Sequence, residues 1–260
     1  MAIPIDVLTA VLSRELALNV WPFFRIAGVL MVAPVFGARL VPVRVRVGLA
    51  IAVTLVLAPV VPQPAQAFDA SLASGFVLVQ EMLLGVAIGF CLQMIFDALI
   101  IAGQTISMGM GLGFATMVDP QRGMSVPIVG QFFVILGFLI FLGLGGHLAI
   151  LRLIADSFAM LPLGQPLASD GVWILVGWGS EMFAGAVRIA LPAATALIVV
   201  NVAFGVMSRA APTLNLFAVG LPAGLLVGLL VLLVNIGNLP AMISGLLDSS
   251  LATIARMLAA

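Results

Sequence analysis

Acid–base, nucleophilic or metal chemistry needs histidine, cysteine, lysine or paired carboxylates within reach of one another. This 260-residue chain offers one histidine (His147), one cysteine (Cys91), no lysine and no tyrosine; all ten of its basic residues are arginine. A His/Cys metal cluster is therefore excluded, as is an intrachain disulfide, and neither a P-loop lysine nor a Schiff-base lysine exists. No cofactor and no metal site is expected. The charges that stand out are those set in apolar sequence: Arg25, Glu81, Asp97, Glu181 and Arg188. A charged side chain at mid-bilayer costs about 2.5–3.5 kcal/mol on insertion scales, so such residues usually face protein or water. Arg25 and Arg188 lie deep in their segments and require partners from neighbouring helices or subunits. Glu81 and Asp97 fall near the two ends of theirs, where an interfacial position is expected. Glu181 and Arg188, seven residues apart, share a helical face but stand about 10 Å apart along the axis, too far for a direct pair. A proton relay would need a chain of acids and histidines that is not there. His147, after Gly143, Leu144, Gly145 and Gly146, reads as a hydrogen-bonded residue at a segment end rather than a catalyst.

The most unusual stretch is 103–127, where Gly109, Gly111 and Gly113 alternate with Met110 and Leu112 and are followed by Phe114 and Met117. Glycine costs a helix about 1 kcal/mol per residue relative to alanine, so a pliable connection is predicted here. It displays Met108, Met110, Leu112, Phe114 and Met117, and methionine adapts to irregular apolar surfaces. An uncharged, deformable, apolar loop suits a seal around a pore. A dinucleotide-binding loop does not fit, because Phe114 stands where that pattern needs glycine and no strand precedes it.

The elements that must position these residues are membrane helices. Hydrophobic residues make up 63% of the chain and charged residues 8%, with zero net charge and a mean hydropathy of +1.33. Soluble domains run near half apolar and a quarter charged, so lipid or other apolar subunits must cover this chain. No basic stripe suits nucleic acid. Six hydrophobic stretches, roughly 20–37, 47–62, 76–101, 127–151, 172–206 and 216–247, approach the length of about 20 residues needed to span. The fold class is all-α: a polytopic membrane protein, one domain over 1–260, with about six helical units. The second stretch stops at Pro59 and Pro62. The fifth is too long for one crossing and carries Pro192; the sixth holds Pro222, Asn235, Gly237 and Pro240. Kinked or broken helices and hairpins are expected there, with protein satisfying the freed backbone groups. Gly85 and Gly89, and Gly220, Gly224 and Gly228, recur at fourfold spacing and imply close helix contacts, within the chain or between chains. No cleavable signal is evident at the start; Ile5, Leu8, Val11, Leu12 and Leu16 suggest an amphipathic helix leading into the first stretch. Arginine placement puts the loops at 39–46, 122 and 209 in the cytoplasm and both termini outside.

Four blocks in order carry a family resemblance: Trp21-Pro22-Phe23-Phe24-Arg25 with Ala33-Pro34-Val35-Phe36-Gly37 and Pro42; Gly109 to Ala115 with Asp119-Pro120 and Gly123; Gly146-His147, Ser157-Phe158 and Leu161-Pro162; and Leu191-Pro192, Arg209-Ala210-Ala211-Pro212 and Asn215-Leu216-Phe217. Together they resemble the FliR family of flagellar type III export-gate subunits, related to the T-type subunits of injectisomes. The resemblance implies a non-enzymatic role in the bacterial inner membrane at the flagellar basal body. It implies assembly with P-type and Q-type gate subunits and the B-type switch protein, and passage of unfolded flagellar proteins through the centre. The loop matching residues 107–123 would be the pore plug, and much of the helical mass would stand above the bilayer as kinked hairpins. The main alternative is a small-molecule secondary transporter, which should show an internal repeat and converging polar groups; neither is evident. A membrane-embedded enzyme would need a catalytic cluster that one histidine and one cysteine do not supply.

Overall fold

The computed structural model describes residues 5–38, 41–62, 71–112, 128–210 and 216–260. Every regular element among them is helical: α1 Ile5–Val32, α2 Val43–Leu57, α3 Leu72–Gly109, α4 Ile128–Gly143, α5 Gly146–Met160, α6 Ser169–Ala210, α7 Leu216–Asn235 and α8 Leu239–Ala259, the last two joined by the 3-10 turn Ile236–Asn238. Three runs are long and apolar enough to cross a membrane: α3, α6, and Gly220–Ala259 through α7 and α8. A bent pair, α4 with α5, makes a fourth if counted as one span. The chain is an all-α polytopic membrane protein.

Two expectations change. The first hydrophobic stretch begins within the 28-residue α1, and the second forms the 15-residue α2, short as its prolines predict. The fifth stretch is one helix of 42 residues, not a broken one, although Pro192 lies inside it. Proline removes a single donor there, the one that would reach the Arg188 carbonyl, and the helix formers around it carry the turn onward. The break falls instead in the fourth stretch, at Gly145, whose φ of 73° ends α4 where an L side chain would be strained.

The chain divides into two compact units, with α3, α6 and α8 contributing to both. The first comprises Met1–Gln93, Gly145–Trp178 and Ser249–Ala260. Its core holds Ile26, Val29, Leu30, Ile88, Leu92, Phe158, Ile254 and Met257, all fully buried. Here α1 crosses α3 backbone to backbone. A Cβ at Gly28 would meet the Met82 carbonyl, one at Gly85 the Arg25 carbonyl, and one at Gly89 the Val29 carbonyl at 2.9 Å. The Gly85/Gly89 pair thus packs within the chain. Helix α5 is amphipathic, burying Ile150, Leu153, Ile154, Ser157 and Phe158 while Arg152 and Asp156 are exposed. The Cys91 carbonyl of α3 accepts hydrogen bonds from Trp178 Nε1 (3.0 Å) on α6 and Ser250 Oγ (3.2 Å) on α8. After α1 the chain turns with Val35 at φ 71°, a left-handed conformation that a β-branched residue rarely adopts.

The second unit comprises Met94–Leu144 and Gly179–Asp248. Phe96 on α3 stacks on Phe138 of α4 at 4.4 Å and meets Phe141 edge-on at 5.6 Å. Two turns further along, Gly103 lies against the backbone of Gly130, so α3 and α4 approach as closely as α1 and α3 do.

Candidate functional site: the end of α3 and a buried ion pair

The glycine–methionine stretch begins inside a helix. α3 continues through Gly103 and Ser107 to Gly109, seven residues beyond where a loop was expected. Side-chain packing against α4 and α6 outweighs the glycine cost, and the helix ends in a paired-bond C-cap. Leu112 N–H donates to the Ser107 carbonyl and Gly111 N–H to the Met108 carbonyl, both at 3.0 Å, with Gly111 left-handed at φ 79°. This is the Schellman arrangement, and it explains why glycine stands at 111.

Met110 is 2% exposed. Its side chain rests on the glycine face of α7: a Cβ at Gly228 would lie 2.5 Å from Met110 Cγ and 2.8 Å from its sulfur and Cε, and one at Gly224 would face the Met110 carbonyl at 3.7 Å. On the α6 side Gly109 packs against Leu197, and Asn201 Nδ2 donates to the Gly109 carbonyl at 3.4 Å. Of the proposed loop residues, Met108 is exposed, Leu112 half-buried, and Met110 a seated anchor. Phe114, Met117, Asp119 and Pro120 lie outside the described residues, as do Pro212 and Asn215. Arg209 is exposed in the last turn of α6.

The ionisable residues sort differently from expectation. Glu81 is not interfacial: it is fully buried and paired with Arg25, Nε to Oε2 at 2.6 Å. Arg25 Nη1 and Glu81 Oε1 meet the end of α5 and the connection after it, while Arg25 Nη2 is buried without a hydrogen-bond partner. Arg25 Nη1 donates to the carbonyls of Ser157 (3.0 Å) and Leu161 (2.8 Å), and its guanidinium lies 4.6 Å from the Phe158 ring centre. Glu81 Oε1 accepts from Gly164 N–H at 2.8 Å. A cation at carbonyls that close a helix is favourable, and burial strengthens the effect. The pair therefore joins α1, α3 and the α5–α6 connection. Arg25 finds its partner on a neighbouring helix, as its depth requires. The identity of that partner was missed because Glu81 reads as a segment-end residue until α3 is seen to start at Leu72.

Asp97 is half-buried well inside α3, not at a segment end, because the helix runs on to Gly109. Glu181 and Arg188 do approach, Oε2 to Nη1 at 4.0 Å. Two extended side chains span the two turns that the axial rise alone seemed to forbid. Both are more than half exposed, so the pair contributes little to stability. His147 is half-buried, with its Nδ1 enclosed and without a hydrogen-bond partner. Among the described residues no group of three or more potential metal ligands occurs.

The family model described as bacterial export proteins, family 1, matches residues 16–250. The flagellar biosynthetic protein FliR of Pectobacterium carotovorum subsp. carotovorum is 39% identical over 213 residues, covering 82% of this chain and 81% of its own length. FliR of Escherichia coli K12 is 39% identical over 218 residues, covering 82% of each. FliR of Bacillus subtilis 168 is 28% identical over 243 residues, covering 91% of this chain and 93% of its own. With a family model matched across almost the whole chain and two relatives at 39% identity, the chain belongs to the FliR family of flagellar export proteins.

Proposed function

We propose that this chain is a non-enzymatic core subunit of the flagellar type III export gate, acting as one domain over 1–260. It works in the bacterial inner membrane at the basal body, beside P-type and Q-type gate subunits and the B-type switch protein. Unfolded flagellar subunits pass through the assembly, and the segment 107–123 plugs the pore. The observation that carries this reading is the family match over residues 16–250. The uncovered apolar helices support it: the most apolar window of α3 is 61% buried within the chain, that of α6 22% and that of α7–α8 11%. Lipid alone does not suit all of that surface, since Glu181 and Arg188 interrupt it with exposed charge. Packing against further subunits would.

The decisive experiment is co-purification of the tagged chain after gentle extraction, read by mass spectrometry. The expected outcome is recovery of P- and Q-type gate subunits in fixed ratio; recovery of the chain alone, stable and binding a small solute, overturns the reading. The plug is tested separately in the assembled complex. Deleting Gly113 and Phe114 spares Met110 and the capping residues Gly111 and Leu112, and should raise permeability to small solutes; an unchanged leak removes the plug assignment.

A further inference from the structure

We infer that Met110 and Gly228 form a releasable latch, holding the end of α3 on α7 in the closed gate and parting when cargo passes. The inference rests on the export-gate reading above and concerns how that gate is held shut. The seat is shaped for one side chain. Glycine at 228 leaves a notch that an alanine methyl would fill, since its position lies 2.5–2.8 Å from three atoms of Met110. The occupant is held without polar contacts of its own. The nearest polar tether to another helix is the Asn201–Gly109 bond at 3.4 Å, long for an N–H···O bond and on the exposed side.

The occupant can also leave. Methionine has three rotatable side-chain bonds and a soft thioether, so it withdraws without moving the helix backbone. The left-handed Gly111 follows at once, so Met110 is the last side chain fixed to the bundle before the chain changes direction. Firmly packed anchors elsewhere in the fold are built differently. At the α1–α3 crossing, backbone meets backbone and no flexible side chain intervenes.

The test replaces both partners, Met110→Cys with Gly228→Cys, in the full chain assembled with its gate subunits in cells. Met110 Cγ stands 2.5 Å from the position of a Gly228 Cβ, so a sulfur at 110 would come within bonding reach of residue 228. Copper phenanthroline is applied after assembly, and secretion of flagellar subunits into the medium is measured. The expected result is cross-linking with at least a tenfold loss of secretion, restored by reductant. Cross-linking with undiminished secretion overturns the latch, because static packing tolerates a covalent bond. Failure to cross-link overturns it too, since the seat is then not occupied in the assembled gate. A second variant, Gly228→Ala, pushes Met110 out without a cross-link and should raise small-solute leak severalfold; a wild-type leak likewise counts against the latch. Recovery of the gate subunits with each variant separates these outcomes from failure of the export-gate reading, which would show as loss of the partners themselves.

Discussion

Arg25 and Glu81 are both inaccessible to solvent, so each charge depends on the groups that the fold brings to it. Removing one partner of a buried pair strands the other, which costs about 3–5 kcal/mol, whereas replacing both with apolar residues of similar volume is often neutral. Arg25→Ala should therefore sharply lower the thermal unfolding midpoint in detergent, and Arg25→Met with Glu81→Leu should recover most of the loss. A double variant as unstable as the single one would show that the carbonyls of Ser157 and Leu161, not the carboxylate, are what Arg25 chiefly serves. Val35 offers the opposite kind of change. An L residue in the left-handed region costs about 1–2 kcal/mol, which asparagine tolerates better, so Val35→Asn should raise the midpoint; a drop would mean that its apolar contacts matter more than its backbone. The need of Arg25 for a partner is legible in the sequence from the cost of burying it. Which acid answers, and that a helix end shares the guanidinium, depends on contacts across 56 and 136 residues of chain.

At the scale of elements, the spacing of glycines announces close contacts but not what is contacted. Gly85 faces backbone that has no room to move, so Gly85→Ala should destabilise by about 1–3 kcal/mol, seen as lower thermal stability and faster proteolysis. Gly205 on α6 has nothing within 4 Å of an added Cβ, and Gly205→Ala should stabilise the isolated chain by up to about 1 kcal/mol through helix propensity. Equal effects at the two positions would show that propensity, not the helix crossing, governs both. Helix lengths were partly legible. The end of α2 before Pro59 follows from its prolines, whereas α3 outruns its predicted end because Gly103 is stabilised by its approach to Gly130, which no local pattern reveals. Pro192 misleads for the converse reason, since an apolar helix accepts the loss of one donor more readily than a change of direction.

At the scale of the whole molecule, membrane character is legible from composition alone, and the order of four sequence blocks is enough to identify the family. Where the exposed apolar surface goes is not legible, because that depends on what surrounds α6, α7 and α8. Glu181 and Arg188 separate the contributions. Either residue changed to alanine should alter the stability of the isolated chain by less than about 1 kcal/mol, given their exposure. If subunits cover α6, the same changes should reduce recovery of co-purifying gate proteins, and full recovery would place that face toward water. One buried feature bears on how these questions are to be answered. Cys91 is the only cysteine in the chain; it lies fully enclosed, and its carbonyl is fixed by Trp178 and Ser250. To a water-borne maleimide the chain's native surface is silent, so a thiol introduced at Phe114, Met117 or Asn215 would report its own accessibility with no background from the chain itself.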